Sequence, residues 1–180
     1  MPYPRRHPIP HAIYHATSRG NDRRPLFLDD IDRHRYLYHL EMVLRRHDLE
    51  CVAWCLMTNH THLLVRCCEP TVSVALRDLH AVYCRQFNRR HGFSGHVLGR
   101  RPYLVHVEDD PQLITTARYI LMNPVTAGLC ATPAEWPWSS FRALRGLRPA
   151  TFENLDLLWA FVPPESVDAW VSETFTAFKQ

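Results

Sequence analysis

Apolar and polar positions along the chain change period several times, and each change marks an element. Residues 12 to 17, Ala-Ile-Tyr-His-Ala-Thr, alternate and run into the turn-forming Arg19-Gly20-Asn21-Asp22, which predicts a strand. Beyond Asp29 or Asp30, either of which can cap a helix, Ile31, Tyr36, Leu37, Leu40, Val43 and Leu44 recur at helical spacing to about His47. Cys51 to Met57 is the longest uninterrupted apolar run and predicts a buried strand. Thr58-Asn59 turns the chain, and His62 to Cys67 supplies a hairpin partner. Thr71 or Ser73 can cap a long helix to about His91, with Val72, Leu76, Leu79, Tyr83 and Phe87 on one stripe. Gly92-Phe93-Ser94-Gly95 breaks it. Tyr103 to Val107 alternates again, and Asp110-Pro111 opens a helix expected to end near Asn123-Pro124.

The resulting order, β-α-β-β-α-β-α, places the chain in the α+β class. Its first six elements match the ferredoxin-like split βαβ unit, an antiparallel sheet with helices on one face. From Ala131 onward Pro, Trp and acidic residues dominate, which predicts a small C-terminal helical appendage over 131–180 packed on a core domain of 1–130. With 180 residues, 46% of them hydrophobic, the chain suffices for one compact domain with such an appendage. No apolar run approaches membrane-spanning length and no signal-peptide core is visible, so a soluble, cytoplasmic protein with reduced thiols is expected, with no membrane partner.

Composition narrows the chemistry. Of the 21 basic residues 20 are Arg, and the only Lys is Lys179. A Walker A phosphate loop and Schiff-base catalysis both need a Lys in the fold, so no nucleotide cofactor is expected, whereas the planar fork of Arg suits phosphate oxygens. The modest net charge of +3 resolves into +7 over residues 1 to 107 and −4 over 108 to 180, and all 12 His fall in the first stretch. A basic, histidine-rich region points to a polyanion.

His60-Thr61-His62 is the most informative local feature. Residues two apart on an extended chain point to the same face, so both imidazoles can converge on one metal ion, with Asn59 able to hold a ring through a hydrogen bond. The long helix carries a hydroxyl nucleophile candidate, Tyr83, among Arg77, Arg85, Arg89 and Arg90. From Arg77 through Arg100 and Arg101 there are six Arg and one acid, Asp78. A tyrosinate can attack phosphorus once a metal withdraws charge from the phosphate. Tyr83 also sits on the apolar stripe, so a core tyrosine is an equal reading of the same residue. An oxygen-bearing third ligand would favour a hard cation over zinc, and Gln86 or Asn88 could provide it. A thiolate site is disfavoured: Cys51 and Cys55 lie about 13 Å apart along a strand.

Cys55-Leu56-Met57-Thr58-Asn59-His60-Thr61-His62-Leu63-Leu64 and Tyr83-Cys84-Arg85-Gln86-Phe87-Asn88-Arg89-Arg90-His91-Gly92 resemble the IS200-like transposase superfamily, most closely the REP-associated tyrosine transposases. So do Tyr14 to Asn21, Tyr119-Ile120-Leu121-Met122-Asn123-Pro124-Val125 with Ala127-Gly128-Leu129, and Trp136-Pro137-Trp138-Ser139-Ser140, in all about residues 9 to 145. The resemblance implies a HUH endonuclease and strand transferase with one catalytic tyrosine. It would act on single-stranded or hairpin-bearing DNA through a 5′-phosphotyrosine, with Mg²⁺ or Mn²⁺ as the metal, His60 and His62 as its ligands, and Tyr83 as the nucleophile. Arg77, Arg85, Arg89, Arg90, Arg100 and Arg101 would contact the DNA backbone, and Phe93 or Tyr103 could stack on unpaired bases. Thr61 departs from the family, which usually places a bulky hydrophobe between the two His. A domesticated, noncatalytic hairpin binder is the alternative, and a monomer or a dimer fits either reading.

Overall fold

Alternation along the first strand and helical spacing after it produce the elements in the expected order. The computed structural model describes residues 9–69 and 71–173. Its main elements are β1 (Ile13–Arg19), α1 (Asp30–Arg46), β2 (Leu49–Leu56), β3 (His60–Cys67), α2 (Val72–His91), β4 (Tyr103–Val107) and α3 (Asp110–Thr126). The strands form one sheet in the order β2-β3-β1-β4, each neighbouring pair antiparallel, as the split βαβ unit requires.

Local chemistry explains the helix boundaries. Asp29 caps α1 by accepting from the Asp32 amide, and Asp109 caps α3 by accepting from the Gln112 amide. Gly92, in the left-handed region, ends α2. Helix α3 continues one turn past the expected stop at Asn123-Pro124. Pro124 falls where the helix is already closing: the Gly128 amide donates to the Val125 carbonyl and the Leu129 amide to that of Pro124, with Gly128 at φ 69°. That closure is a Schellman motif, so the proline is tolerated in the last turn.

The sheet separates two apolar layers. Tyr14, Ala16, Trp54, Leu56, Leu63 and Val65 face α1 and α2, whose Tyr36, Leu40, Leu79, Tyr83 and Phe87 complete that core. The opposite face, with Ala53, Cys55, Leu64 and Val107, is covered by α3 through Leu113, Ala117, Ile120 and Leu121.

Residues after 131 belong to this second core. The short helices α4 (Phe141–Leu144), α5 (Asp156–Trp159) and α6 (Val167–Ser172) bury Phe141, Leu144, Leu158, Val167 and Val171 against it. The segment also closes the outer edge of β2. The Leu56 amide donates to the Trp138 carbonyl, and the Ser140 amide donates to the carbonyl of Trp54. Further along, the Asn154 amide donates to the Cys51 carbonyl, and the Trp54 indole donates to the buried Glu153 carboxylate at 3.0 Å. A sheet edge that would otherwise expose unpaired backbone is thereby satisfied. Cys51, Cys55 and Cys67 are buried apolar side chains, and burial pushes the Cys55 thiol up. Among the described residues no helix is long and apolar enough to cross a membrane.

Candidate active site

The parity of β3 decides which side chains meet. His60 and His62 share the α3 side of the sheet with Leu64, while Thr61 between them is fully buried on the α1–α2 side, 3.4 Å from the Tyr36 hydroxyl. Thr61 therefore replaces a core side chain and leaves the histidine pair intact.

The two imidazoles lie edge to face with centroids 4.9 Å apart. Each Nδ1 is engaged from behind. His60 Nδ1 is 2.8 Å from Asn59 Oδ1, and Asn59 is itself fixed by donating through Nδ2 to the Arg23 carbonyl. His62 Nδ1 is 2.9 Å from His15 Nε2 and 3.3 Å from the Thr17 hydroxyl. Burial, reinforced by Arg19, lowers the pKa of His60, and burial together with His15, His60 and Arg19 holds His62 well below the usual imidazole range. Both shifts favour the neutral ring, the state a metal ligand requires.

Helix α3 brings two further groups. Tyr119, 43% exposed, stands edge-on to His62 with centroids 5.5 Å apart, and Asn123, one turn later, comes within interaction range of His60. Asn123 Nδ2 donates to the Tyr119 carbonyl, which leaves Oδ1 to meet the ring. With His60 donating Nδ1–H to Asn59, its other nitrogen carries a lone pair, as does the Asn123 oxygen. Buried His62 Nε2 has no hydrogen-bond partner among the described residues. Two imidazole nitrogens and one amide oxygen, all lone-pair donors, suit a hard divalent cation, so these residues fit a metal.

The remaining expected site residues lie elsewhere. Tyr83 is on the opposite side of the sheet, 2% exposed, packed edge-on against Tyr36 and donating to the Leu26 carbonyl. Burial, with Asp32 and Tyr36 nearby, drives its phenol pKa far up, the reverse of what a nucleophile needs. The nucleophile assignment to Tyr83 is therefore corrected: the apolar stripe won. Gln86 pairs with His39 across the α1–α2 seam at 2.9 Å, and Asn88 donates to the Gly95 carbonyl, so neither can reach the histidines. Arg90 ties the ends of α1 and α2 together through Asp29 and Asp32, and Arg77 pairs with Asp78. Arg85 and Arg89 line the outer groove of α2 with Val82 and Gln86, away from the histidine face.

Arg100 and Arg101 are exposed just beyond residues 97–99, which lie along the end of β1. The Asn21 amide donates to the Val97 carbonyl and the Gly99 amide to that of Arg19. Arg19 itself pairs in register with His60. Gly20 makes this corner possible: a Cβ there would lie 2.1 Å from the Arg24 carbonyl oxygen, while the Gly20 amide donates to the Asn59 carbonyl beside His60. Exposed Tyr103 pairs with Thr17 on the same face of the sheet as the histidines.

Residues 9–123 match the family model for IS200-like transposases. The chain belongs to that family. Within it, the chain is 30% identical over 142 residues to a Haemophilus influenzae protein described as a REP-associated tyrosine transposase, covering 72% of this chain and 80% of that one. The chain thus falls among the REP-associated tyrosine transposases. A solved structure of a REP-associated tyrosine transposase bound to a REP hairpin superposes with a TM-score of 0.68 at 23% identity, over 83% of this chain and 89% of that one, which shows the shared fold. Tyr119, Asn123, His15 and Arg19, which the structure brings beside the two histidines, are not singled out by the sequence reading. Tyr119 and Asn123 had a signal available, since a tyrosine and an amide four residues apart share one helix face.

Proposed function

We propose that this protein cleaves and rejoins single-stranded DNA next to a hairpin, with Tyr119 as the nucleophile and His60, His62 and Asn123 as the metal-binding set. The observation that carries this reading is the half-exposed Tyr119 hydroxyl-bearing ring beside His62, one helical turn from Asn123 on the same face. Membership of the transposase family and the hairpin bound by its structural relative support the choice of substrate.

The chain's own residues set up an in-line displacement. Arg19, Arg100 and Arg101 at the histidine end hold the phosphate backbone, and Tyr103 offers a ring on which an unpaired base stacks. A bound Mg²⁺ or Mn²⁺ would supply charge withdrawal from a nonbridging oxygen of the scissile phosphate. Tyr119 Oη forms the new bond to phosphorus as the bond to the 3′ oxygen breaks, and the phenolic proton is made up on that oxygen, leaving a 5′-phosphotyrosine and a 3′-OH. Attack of another 3′-OH on the ester reverses the step and joins strands, so no nucleotide cofactor is needed.

The test is a 3′-labelled, hairpin-bearing oligonucleotide incubated with Mn²⁺ and resolved on a denaturing gel. Wild-type protein should retain the label covalently and Tyr119→Phe should not. Hairpin binding with no adduct from wild-type protein would instead establish a noncatalytic binder.

A further inference from the structure

We infer that His15 is a positioning residue that fixes the tautomer of His62 and so aims its Nε2 lone pair into the site. This rests on the metal-binding reading above and extends it to a residue behind the ligands.

The inference follows from what each nitrogen can do. His62 is 3% exposed, and its Nε2 has no partner among the described residues. A proton on Nε2 would be a buried donor with nowhere to go, and it would block ligation. The proton must then sit on Nδ1, where acceptors stand: His15 Nε2 at 2.9 Å and the Thr17 hydroxyl at 3.3 Å. For His15 Nε2 to accept, His15 must carry its own proton on Nδ1.

The strand geometry leaves little freedom. Thr17 pairs in register with His62 and His15 with Leu64, so His15 and Thr17 of β1 and His62 of β3 all rise on the α3 side. The His15 and His62 rings stack with centroids 5.2 Å apart and planes 26° from parallel, and Tyr119 stands edge-on to His15 at 6.0 Å. Since its Nε2 is spent on His62, His15 cannot be a third ligand. It does for His62 what Asn59 Oδ1 does for His60, which gives the two imidazoles the same tautomer by different means.

Mn²⁺ binding to the DNA-free protein, followed by electron paramagnetic resonance, tests this without an activity assay. His15→Phe keeps a ring but removes the acceptor, and should weaken Mn²⁺ binding by about ten- to a hundredfold. His15→Gln, which restores an acceptor near the Nε2 position, should recover most of that loss. Melting temperature without metal and salt-sensitive hairpin binding should move in neither. Unchanged Mn²⁺ affinity in His15→Phe would overturn the role of His15 while leaving the metal site standing. Equal binding by wild type and the His60→Ala, His62→Ala double variant would overturn the metal site itself, and this inference with it. Should His15→Phe fail to fold, ¹⁵N-histidine spectra of Mg²⁺-loaded wild type decide the matter, since a proton on His15 Nε2 contradicts it.

Discussion

Tyr119 meets His62 edge-on, ring centroids 5.5 Å apart and planes at 88°, while Tyr83 is sealed among Phe27, Tyr36 and Phe87 across the same sheet. One tyrosine lies beside the two histidines and open to solvent, the other in a dry core. The sheet between them gives the two residues opposite mutational signatures.

Tyr83→Phe should leave covalent adduct formation intact and lower stability instead. Removing the hydroxyl strands the Leu26 carbonyl it satisfies. An unpaired buried acceptor costs about 1–3 kcal/mol, which chemical denaturation would register as a lower midpoint at unchanged slope. Loss of the adduct with normal stability would restore Tyr83 to the chemistry.

His60→Ala combined with His62→Ala should abolish the adduct but preserve the fold and salt-sensitive hairpin binding. Neither ring contributes to the two apolar cores, and the arginines at the β1 end are untouched. Binding measured over a range of salt should keep its slope, because every arginine is unchanged.

Arg90→Ala should act on stability, not on DNA affinity. Its guanidinium lies on both Asp29 and Asp32, and the Asp32 side chain is only 2% exposed, so removal leaves a buried carboxylate with less compensation. Arg85→Ala with Arg89→Ala, on the outer groove, should leave the melting temperature within the range of ordinary surface changes. A destabilised double variant or a robust Arg90→Ala would contradict this division.

Acid should loosen the C-terminal segment through Glu153. Burial pushes its pKa up, but Arg148, the Thr151 amide and the Trp54 indole together outweigh this and hold the carboxyl at about 2. A depressed carboxylate stabilises the fold above the ordinary carboxylate range, and because the unfolded chain binds the proton more readily, that stability drains as pH falls from there toward 2. Glu153→Gln should be less stable at neutral pH and show a flatter decline between pH 5 and 2 by circular dichroism. An unchanged slope would remove Glu153 from the account.

Truncation after Ala150 should give an aggregating or unfolded product. It deletes Leu155, Leu158, Val162, Val167 and Val171 from the core beneath α3 and uncovers Trp54 and the Cys51 carbonyl at the β2 edge. A soluble product with a cooperative transition would mark the segment as dispensable.

Much of this architecture was legible in the sequence because period reports burial: the two-residue rhythm of β1 and the stripe on α2 survive intact in the structure. His60 and His62 were legible for the same reason, since two-residue spacing guarantees a common face whichever face it is. The identity of that face was not. Tyr83 and Tyr119 each sit on a helix after a strand, and only the topology, which sends α1 and α2 to one side and α3 to the other, says which one meets the histidines. Arginine density likewise does not say which guanidinium is already paired. Arg90 is consumed by Asp29 and Asp32, acids distant in sequence, whereas Arg19, a single residue at a strand end, stands in register with His60.

Thr61, fully buried between two ligand candidates, makes alignment a chemical variable. Because side chains alternate strictly along β3, sliding that strand by one residue against β1 would turn both imidazoles into the α1–α2 core and offer a lone threonine hydroxyl to Tyr119. The clasp of Gly20, Asn59 and Arg23 at the mouth of the hairpin pins that register. A turn residue inserted or lost between Met57 and His60 would therefore erase the site while every element of the fold could still form.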